Sequence, residues 1–403
     1  MITVTADGWE LCEQKDPMFF RPEHMTALPE PIEGGDPYEV FDFISLESEG
    51  DKLLVLSWIV SALNPDVPSP ILTLTGIQGS AKTTKSKWLR DLTDPSVTPV
   101  LGDIELTGLF LTFQHHAVPS FENVSQFNRR TADMFCRAVT GNGVERRKLF
   151  TDSDQVLYSF QRPIIINGID TPSTRPDFLD RCIVVNCPRL ETFRPIKELD
   201  MAFQQARPRL FGALLALLSK TLKLLPSTPP GGEFRMADFA HFGRALATAL
   251  GKTPGEFDDA YRTSIRHQDK EALDATPMAN ALKSLASQHT TSRPWEGTAK
   301  QLLEQLQYVA HRNNDQNAKA DLPKNARWLS SKLSELVTAL RTEGIIVERL
   351  PRTSSTRGWK VSMTNEARAE RERRHSRPEG VAEALDEADI FAALEQVNEI
   401  TQD

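Results

Sequence analysis

Residues 70–84 read PILTLTGIQGSAKTT, an apolar run followed by a glycine-bearing loop and the start of a helical pattern. The loop from Gly76 to Thr83 fits the phosphate-loop pattern G-x-x-x-x-G-K-[ST], except that Ala81 stands where the last glycine is usual. In such a loop, backbone N–H groups and the helix N-terminus surround phosphate groups. The stretch therefore predicts a strand over 70–75, a phosphate-binding loop, and a helix over 83–91.

The same loop supplies side chains suited to a nucleoside triphosphate and its metal ion. Lys82 is placed to reach the β- and γ-phosphates, and the Thr83 hydroxyl to hold Mg²⁺, so ATP and Mg²⁺ are the expected cofactors. A Gly/Ser loop with a surface lysine is the alternative interpretation. The candidate nucleotide-binding residues are Gly76, Gln78, Gly79, Ser80, Ala81, Lys82, Thr83 and Thr84.

Two further segments predict polar groups at strand ends near that loop. A phosphate-loop enzyme needs an acid at the end of a neighbouring strand to hold Mg²⁺, and Glu122, followed by Asn123, is the candidate. Pro119 is unusual there because proline cannot donate to a sheet ladder. Asn167 ends the apolar run at 163–167, where it would position the attacking water. An exposed loop glutamate and an Asn-Gly turn are the alternatives.

Two arginines precede the apolar run at 182–185. Arg181, and secondarily Arg175, would face the nucleotide of the next subunit and neutralise charge in the transition state. Surface arginines paired with Asp177 or Asp180 are the alternative interpretation.

Apolar runs at 70–75, 109–113, 163–167 and 182–185 predict strands that alternate with helical patterns such as 131–139. This alternation predicts an α/β domain with a mainly parallel sheet. The pattern turns helical after about residue 190. The predicted segments are an N-terminal irregular arm over 1–45, a phosphate-loop core over 46–190, a helical region over 191–290, a small domain over 293–362 and an acidic tail over 363–403.

The small domain at 293–362 predicts a winged helix. Helical patterns at 298–310 and 326–342 precede a C-capping Gly344 and a strand–loop–strand unit at 345–362. The domain carries 12 Lys and Arg against 7 Asp and Glu. The candidate phosphate contacts are Lys324, Arg327, Lys332, Arg352 and Arg357. Protein docking is the other common use of the fold.

The whole chain of 403 residues has a net charge of −8, which excludes a protein that coats nucleic acid along its length. DNA contact is therefore expected only locally. The four cysteines show no CxxC spacing, which suits a reducing compartment. The first residues lack the basic start and apolar core of a signal peptide, and the longest apolar runs are about half a bilayer span. We expect a cytoplasmic protein without membrane contact.

Several longer segments carry a family resemblance. They are DGWELCEQKDPMFFRP at 7–22, GIQGSAKTT at 76–84, FENVS at 121–125, CRAVTGNGVERRKLFTDSDQVLYSFQRPIIINGID at 136–170, TRPDFLDR at 174–181, RMADFAHFG at 235–243 and WEGTAKQLLEQL at 295–306. Together they resemble the AAA+ ATPases of actinobacterial phages and integrative elements. That group is related to the superfamily 3 helicase half of viral and plasmid primase–helicases.

The resemblance implies a role for each motif. It makes Lys82 and Thr83 the Walker A pair, Glu122 the Walker B acid, Asn167 the sensor-1 residue and Arg181 the arginine finger. Ala81 is usual in this family. The family usually has aspartate in place of Glu122 and lacks a proline at 119, and these departures bear on the rate of hydrolysis.

Residues 142–160 predict a hairpin about a TDSD turn at 151–154. In the related helicases a hairpin at this place projects into the ring channel and grips single-stranded DNA. Arg146, Arg147 and Lys148 are the candidate phosphate contacts. The acidic turn disfavours the tip as the grip, and a solvated surface hairpin is the alternative.

The motifs and the resemblance predict a hexameric ring that couples ATP hydrolysis to movement or remodelling of DNA in replication of a phage or mobile element. Single-stranded DNA is the expected partner in the channel, and duplex DNA or a protein at the winged helix. The alternatives are a nucleotide-gated DNA-binding or assembly module with weak hydrolysis, and an anti-phage defence ATPase that works with a partner effector.

Overall fold

The computed structural model describes residues 1–13, 22–102, 106–141, 144–147, 155–158, 160–190, 192–312, 322–351 and 358–375. The chain divides into two compact units, Met1–Asp269 and Lys270–Asp403, each with its own hydrophobic core. Residues 270–290, placed with the helical region from the sequence, fall within the second unit.

The strands are β1 (Ile2–Thr5), β2 (Gly8–Leu11), β3 (Ile71–Thr75), β4 (Ser120–Phe121), β5 (Val144–Arg147), β6 (Gln155–Tyr158), β7 (Ile164–Asn167), β8 (Cys182–Asn186), β9 (Trp295–Thr298), β10 (Ile345–Arg349) and β11 (Gly358–Met363). The α-helices are α1 (Glu49–Ala62), α2 (Lys82–Thr93), α3 (Leu106–His115), α4 (Arg129–Thr140), α5 (Pro176–Leu179), α6 (Ile196–Leu224), α7 (Ala237–Ala249), α8 (Pro254–Asp274), α9 (Pro277–Ala286), α10 (Ala299–Arg312), α11 (Ala326–Thr342) and α12 (Asn365–His375).

A four-stranded sheet organises the first unit, with the strand order β4-β7-β3-β8. All three pairings are parallel, so the carboxyl ends of the strands meet at one edge. Leu101 forms a further parallel bridge with Phe121 on the outer side of β4. The predicted α/β domain with a parallel sheet is confirmed.

Both faces of this sheet are covered, as parallel sheets require. On one face Leu72 and Leu74 join a core cluster that includes buried residues of α1, α6 and α7. The other face carries an aromatic cluster, in which the ring of Phe113 packs edge-on against Phe121 and Phe135. The strand ends are thereby fixed by packing on both sides.

Two local predictions were wrong. Residues 109–113, predicted as a strand, lie in α3, where Leu109, Phe110 and Phe113 are buried and Leu111 is 57% exposed. This spacing of three to four residues buries one face of a helix, and a five-residue apolar run does not distinguish it from a strand. The arm is not wholly irregular, because β1 and β2 form an antiparallel hairpin and residues 37–42 a 3₁₀ helix.

The longest helix, α6, passes beneath the sheet as a core element. By length and composition Ile196–Ser227 is able to cross a membrane. However, 56% of its most apolar stretch is buried inside the protein, as in the core helix of a globular domain. The arm crosses this helix closely, since a Cβ on Gly212 would lie 2.0 Å from the Ile32 carbonyl oxygen. The absence of a side chain at Gly212 therefore lets the arm backbone lie against α6.

The second unit combines helices with a small antiparallel sheet of order β10-β11-β9. Its core contains Leu302, Leu333, Leu340 and Val361, all fully buried. The helix at 326–342 and the two strands after it form as expected, and Gly344 has φ 72° directly after the helix. The loop at 352–357 and the tail from 376 lie outside the described residues.

Candidate nucleotide site at the carboxyl edge of the sheet

The loop between β3 and α2 turns through three residues with positive φ. The values are 143° at Gly76, 88° at Gly79 and 55° at Ala81. A Cβ on Gly76 would lie 2.4 Å from the carbonyl oxygen of Cys187, so a side chain does not fit there. Ala81 is the N-cap of α2 in the left-handed region, a conformation that costs a non-glycine residue roughly 1 kcal/mol. A turn of this kind before a helix N-terminus is suited to phosphate binding.

Lys82 lies inside the curve of this loop. Its Nζ donates to the carbonyl oxygens of Gly76 at 2.6 Å and Ile77 at 2.9 Å, and to Ser80 Oγ at 3.1 Å. Burial lowers the pKa of the Lys82 ammonium from its ordinary value. These acceptors are neutral, so a charged phosphate oxygen in the loop would be the stronger partner for the ammonium.

Asn167, at the carboxyl end of β7, ties the next strand to the loop helix. Its Nδ2 donates to Ser86 Oγ at 3.0 Å, and its Oδ1 accepts the backbone N–H of Asn123 at 3.2 Å. Asn167 is 1% exposed. Asn123 has φ 54°, an uncommon angle that the bond to Asn167 helps to hold. One side chain therefore fixes α2 and the residue after Glu122 relative to each other.

Glu122 follows β4 at the same edge. Phe121 is level with Ile166 of β7, and Ile166 is level with Thr73 of β3, so Glu122 lies in the row of Asn167, two strands from the phosphate loop. The backbone N–H of Glu122 donates to the carbonyl oxygen of Leu101 at 2.9 Å. The row thus brings the candidate acid and the candidate water-positioning amide together.

The strand before Glu122 accommodates Pro119 at its start. β4 contains only Ser120 and Phe121, and the Pro119 carbonyl oxygen accepts the N–H of Ile165 at 3.0 Å. Proline is tolerated at the first position of a strand because its missing donor then lies outside the ladder. The strand begins directly after the proline, and Glu122 follows it at the edge.

The residues present fit a magnesium nucleotide. Mg²⁺ in such sites takes few protein ligands, typically a hydroxyl or carboxylate with phosphate oxygens and water. Thr83 and Thr84 lie, partly exposed, in the first turn of α2, and Gln78 is exposed at the loop tip. No group of three or more His, Cys, Asp or Glu in the described part of the chain forms a site for a metal ion alone.

Arg181 lies away from this edge, and the Arg175 side chain is bound to another carboxylate. The Arg181 carbonyl oxygen accepts the N–H of Ile71, the first residue of β3, at 2.8 Å. This is the amino edge of the sheet, four residues or about 13 Å of strand from the loop. The Arg181 side chain is 10% exposed and pairs with the carboxylate of Asp177, and Arg175 pairs with Asp133 at 2.6 Å. Neither arginine completes the site within its own chain.

Sequence reasoning missed two neighbours of the loop on α2. Ser86 accepts from Asn167, and Lys85, which is 1% exposed, donates from Nζ to the Ser45 carbonyl oxygen at 2.9 Å. Burial lowers the pKa of Lys85. Helical spacing from Lys82 places both residues on its side of α2, and this spacing is the signal that was available in the sequence.

The candidate DNA contacts fall in two segments, the hairpin and the second unit. Arg146 and Arg147 end β5, which pairs antiparallel with β6, so the two strands of the predicted hairpin are present, while its turn at 151–154 lies outside the described residues. In the second unit Lys324 and Arg327 are exposed and lie at the start of α11. The next residue, Trp328, is also exposed, at 47%. The candidate contacts outside the described residues are Lys148, Arg352 and Arg357, while Lys332 is partly buried on α11.

Comparison with known protein families finds two models that match the chain. A model described as actinomycete integrative conjugative element replication protein matches residues 39–270, and a model of the C-terminal domain of the same replication protein, RepA, matches residues 278–377. No curated protein shows significant sequence similarity to the chain.

Several solved structures show a distant likeness. An apo structure of the NrS-1 C terminal region is 12% identical over 86% of this chain and 79% of that chain, with a TM-score of 0.39. A second apo form is 11% identical over 86% and 80%, with a TM-score of 0.41. A ligand-bound JCV helicase is 13% identical over 54% of this chain and 66% of that chain, with a TM-score of 0.30. These values are too low to assign an activity.

Proposed function

Because the chain belongs to the family of actinomycete integrative conjugative element replication proteins, we propose that it is an ATP-driven DNA helicase or translocase of that replication. It would bind Mg·ATP at the loop 76–83 and couple hydrolysis to movement or remodelling of DNA. The proposal includes the finer assignment to the AAA+ ATPases of the superfamily 3 helicase type.

The observation that carries this proposal is the row of groups at the carboxyl edge of the sheet. Asn167 ends β7, which lies between β3, the strand before the loop, and β4, the strand before Glu122. Its amide hydrogen-bonds to Ser86 on one side and to the backbone of Asn123 on the other. A loop that only exposes a lysine does not need an acid and a buried amide fixed beside it. A site that must hold a metal ion and orient a water against the γ-phosphate needs both.

Each residue then has a physical task. Lys82 would exchange its carbonyl partners for phosphate oxygens, and Thr83 with Glu122 would hold the magnesium ion. Asn167 would orient the attacking water, while Asn123 fixes its amide. When bound, Mg·ATP supplies the phosphoryl group that is transferred to this water. These interactions stabilise the charge that develops in the transition state.

The position of Arg181 supports an oligomer. Since it lies at the amino edge of its own sheet, it would act on the nucleotide of a neighbouring subunit after leaving Asp177. Such a head-to-tail contact repeated around an axis closes a ring. We propose a homo-oligomeric ring, a hexamer by analogy with the related helicases, in which Arg175 is the secondary candidate.

The second unit is proposed to be a winged helix that contacts DNA. α9, β9, α10, α11, β10 and β11 follow one another in the order of that fold, with β11 as the central strand. Lys324 and Arg327 are exposed near the start of α11, which is the helix that would enter the major groove. Single-stranded DNA in the ring channel would contact the hairpin of β5 and β6. A cytoplasmic location follows from these partners.

ATP turnover by the purified chain, with and without single-stranded DNA, tests the function. A motor hydrolyses ATP, and DNA accelerates it. A nucleotide-gated assembly module would bind ATP without turnover, and the short β4 with glutamate at 122 is the observation that favours this alternative. Turnover that responds only to a co-expressed effector, and not to DNA, would support a defence ATPase.

A further inference from the structure

An aromatic ring lies against the phosphate loop. A Cβ placed on Gly79 would be 3.5 Å from Cζ of Phe193, so the ring edge borders the space that a side chain at Gly79 would occupy. The N–H of Leu190 donates to the Gly79 carbonyl oxygen at 3.3 Å. The segment after β8 is therefore attached to the loop at the point where the ring stands.

This ring is turned to solvent rather than to the core. Phe193 is 67% exposed, and every other phenylalanine in the described part of the chain is buried or half-buried. Phenylalanine is usually buried because exposure of its ring costs free energy. The exposure is not part of a frayed terminus, since the ring lies between β8 and α6.

Two more exposed apolar side chains border the same loop. Ile77 is 57% exposed and follows Gly76, and Ile169 is 67% exposed on the loop after β7. The N–H of Gly76 donates to the Ile169 carbonyl oxygen at 3.2 Å, which holds that loop beside the phosphate loop. An apolar border beside a polar phosphate cradle matches the two halves of a nucleotide, which joins a flat aromatic base to a charged tail.

We propose that Phe193 is the platform on which the base of the bound nucleoside triphosphate stacks. This inference rests on the proposed ATP site and names the residue that would hold the other end of the ligand. Every nucleobase has a π-face, so stacking on a phenylalanine ring favours bases in general and discriminates weakly among them. The site would therefore accept ATP and GTP with similar affinity.

Competition binding to the purified full-length chain in Mg²⁺ tests this, with ATP, GTP and inorganic tripolyphosphate as ligands. Tripolyphosphate has the charged tail without a base. We expect the wild type to bind both nucleotides at least tenfold more tightly than tripolyphosphate. Phe193→Ala should raise the Kd of ATP and GTP about tenfold, or about 1.4 kcal/mol, and leave the Kd of tripolyphosphate unchanged.

Three further variants sharpen the result. Phe193→Trp keeps a stacking ring and should retain the nucleotide affinity, whereas Phe193→Leu keeps apolar bulk and should lose most of it. Met201→Ala removes another exposed apolar side chain, 53% exposed on α6, and should change none of the three Kd values. The difference between the Trp and Leu variants separates stacking from simple apolar contact.

The outcomes separate the two proposals. A wild type that binds neither nucleotide nor tripolyphosphate contradicts the nucleotide site itself. A wild type that binds all three equally, or a Phe193→Ala chain with unchanged ATP affinity, overturns the stacking role alone. The same holds if Phe193→Ala weakens tripolyphosphate as much as ATP, or if it changes only the sedimentation coefficient, because the ring would then serve the loop's shape or a subunit contact.

Discussion

The amide of Asn167 and the hydroxyl of Ser86 are joined by a hydrogen bond of 3.0 Å that links the end of β7 to the second turn of α2. Both side chains are buried. The same amide accepts the N–H of Asn123, so one residue sets the spacing between the phosphate loop helix and the candidate acid. A shift of this amide would therefore move two parts of the site at once.

Asn167→Ala should lower the free energy of unfolding by about 1–3 kcal/mol, because the buried Ser86 hydroxyl loses its donor and the Asn123 N–H loses its acceptor. Urea unfolding at pH 8 measures this. Ser86→Ala is the matched variant and should cost less, since only the Asn167 Nδ2 loses its acceptor. An Asn167→Ala chain as stable as the wild type would show that the bond does not hold the edge together.

Ala81→Gly should not destabilise the chain. At an ordinary helix position this change costs about 1 kcal/mol, but Ala81 has φ 55°, and glycine relieves that strain. We expect a change between zero and about 1 kcal/mol of added stability, measured by thermal or urea unfolding. Ala81→Val should destabilise instead, because a β-branched residue fits the left-handed region worse. A loss of 1 kcal/mol in Ala81→Gly would contradict the assigned angle.

His116 should make the fold sensitive to acid. Its Nδ1 lies 2.6 Å from Nη2 of the buried Arg90, its ring stacks on His24, and burial together with Arg90 lowers the pKa of His116 to about 3. In the unfolded chain the His116 imidazole binds a proton near pH 6.5, whereas in the folded chain it stays neutral at that pH. This contribution to stability is complete above pH 6.5 and is lost as the pH falls towards 3.

A comparison of the wild type with His116→Gln isolates this group. Asp269 acts in the opposite direction, because burial and Asp180 raise its pKa to about 6 and its stabilisation grows as the pH falls. We expect the variant to gain about 1–2 kcal/mol relative to the wild type between pH 7 and pH 5 in urea unfolding. His115→Gln, at an exposed neighbour, should show no such gain. Parallel curves for wild type and His116→Gln would contradict a half-buried, neutral imidazole at this position.

Mixing two inactive variants tests whether Arg181 acts between subunits. Lys82→Ala and Arg181→Gln should each have little ATPase activity. In mixed rings, a subunit with intact Lys82 can meet a neighbour with intact Arg181, so a 1:1 mixture should regain up to about a quarter of the wild-type rate. A mixture as inactive as either variant alone would place the arginine's role within its own chain.

The sequence predicted best those elements that are specified by residues close together in the chain. The strand–loop–helix around Lys82 and the helix at 326–342 with its C-capping Gly344 carry their own periodicity and turn chemistry, and the structure has them within one or two residues. The prediction for 109–113 failed because a short, mostly apolar run of five residues fits a strand or one face of a helix equally well. Only packing on the aromatic cluster decides between them.

The sequence did not predict which strands and side chains become neighbours across the sheet. The strand order puts Asn167 between the loop and Glu122, and no pattern within either segment encodes that neighbour. The bond to Ser86 and the position of the Phe193 ring beside Gly79 likewise relate residues far apart in the chain. Residue types and spacing identified the groups, whereas tertiary packing determined which of them meet.

The most direct measurement is the steady-state rate of ATP hydrolysis, with single-stranded DNA present, for the wild type, Lys82→Ala and Lys87→Ala. Lys87 is an exposed lysine on the same helix and serves as the matched control. We predict DNA-stimulated turnover in the wild type and in Lys87→Ala, and its loss in a folded Lys82→Ala chain. Turnover of Lys82→Ala at the wild-type rate would contradict the assignment of the loop 76–83 as the nucleotide site.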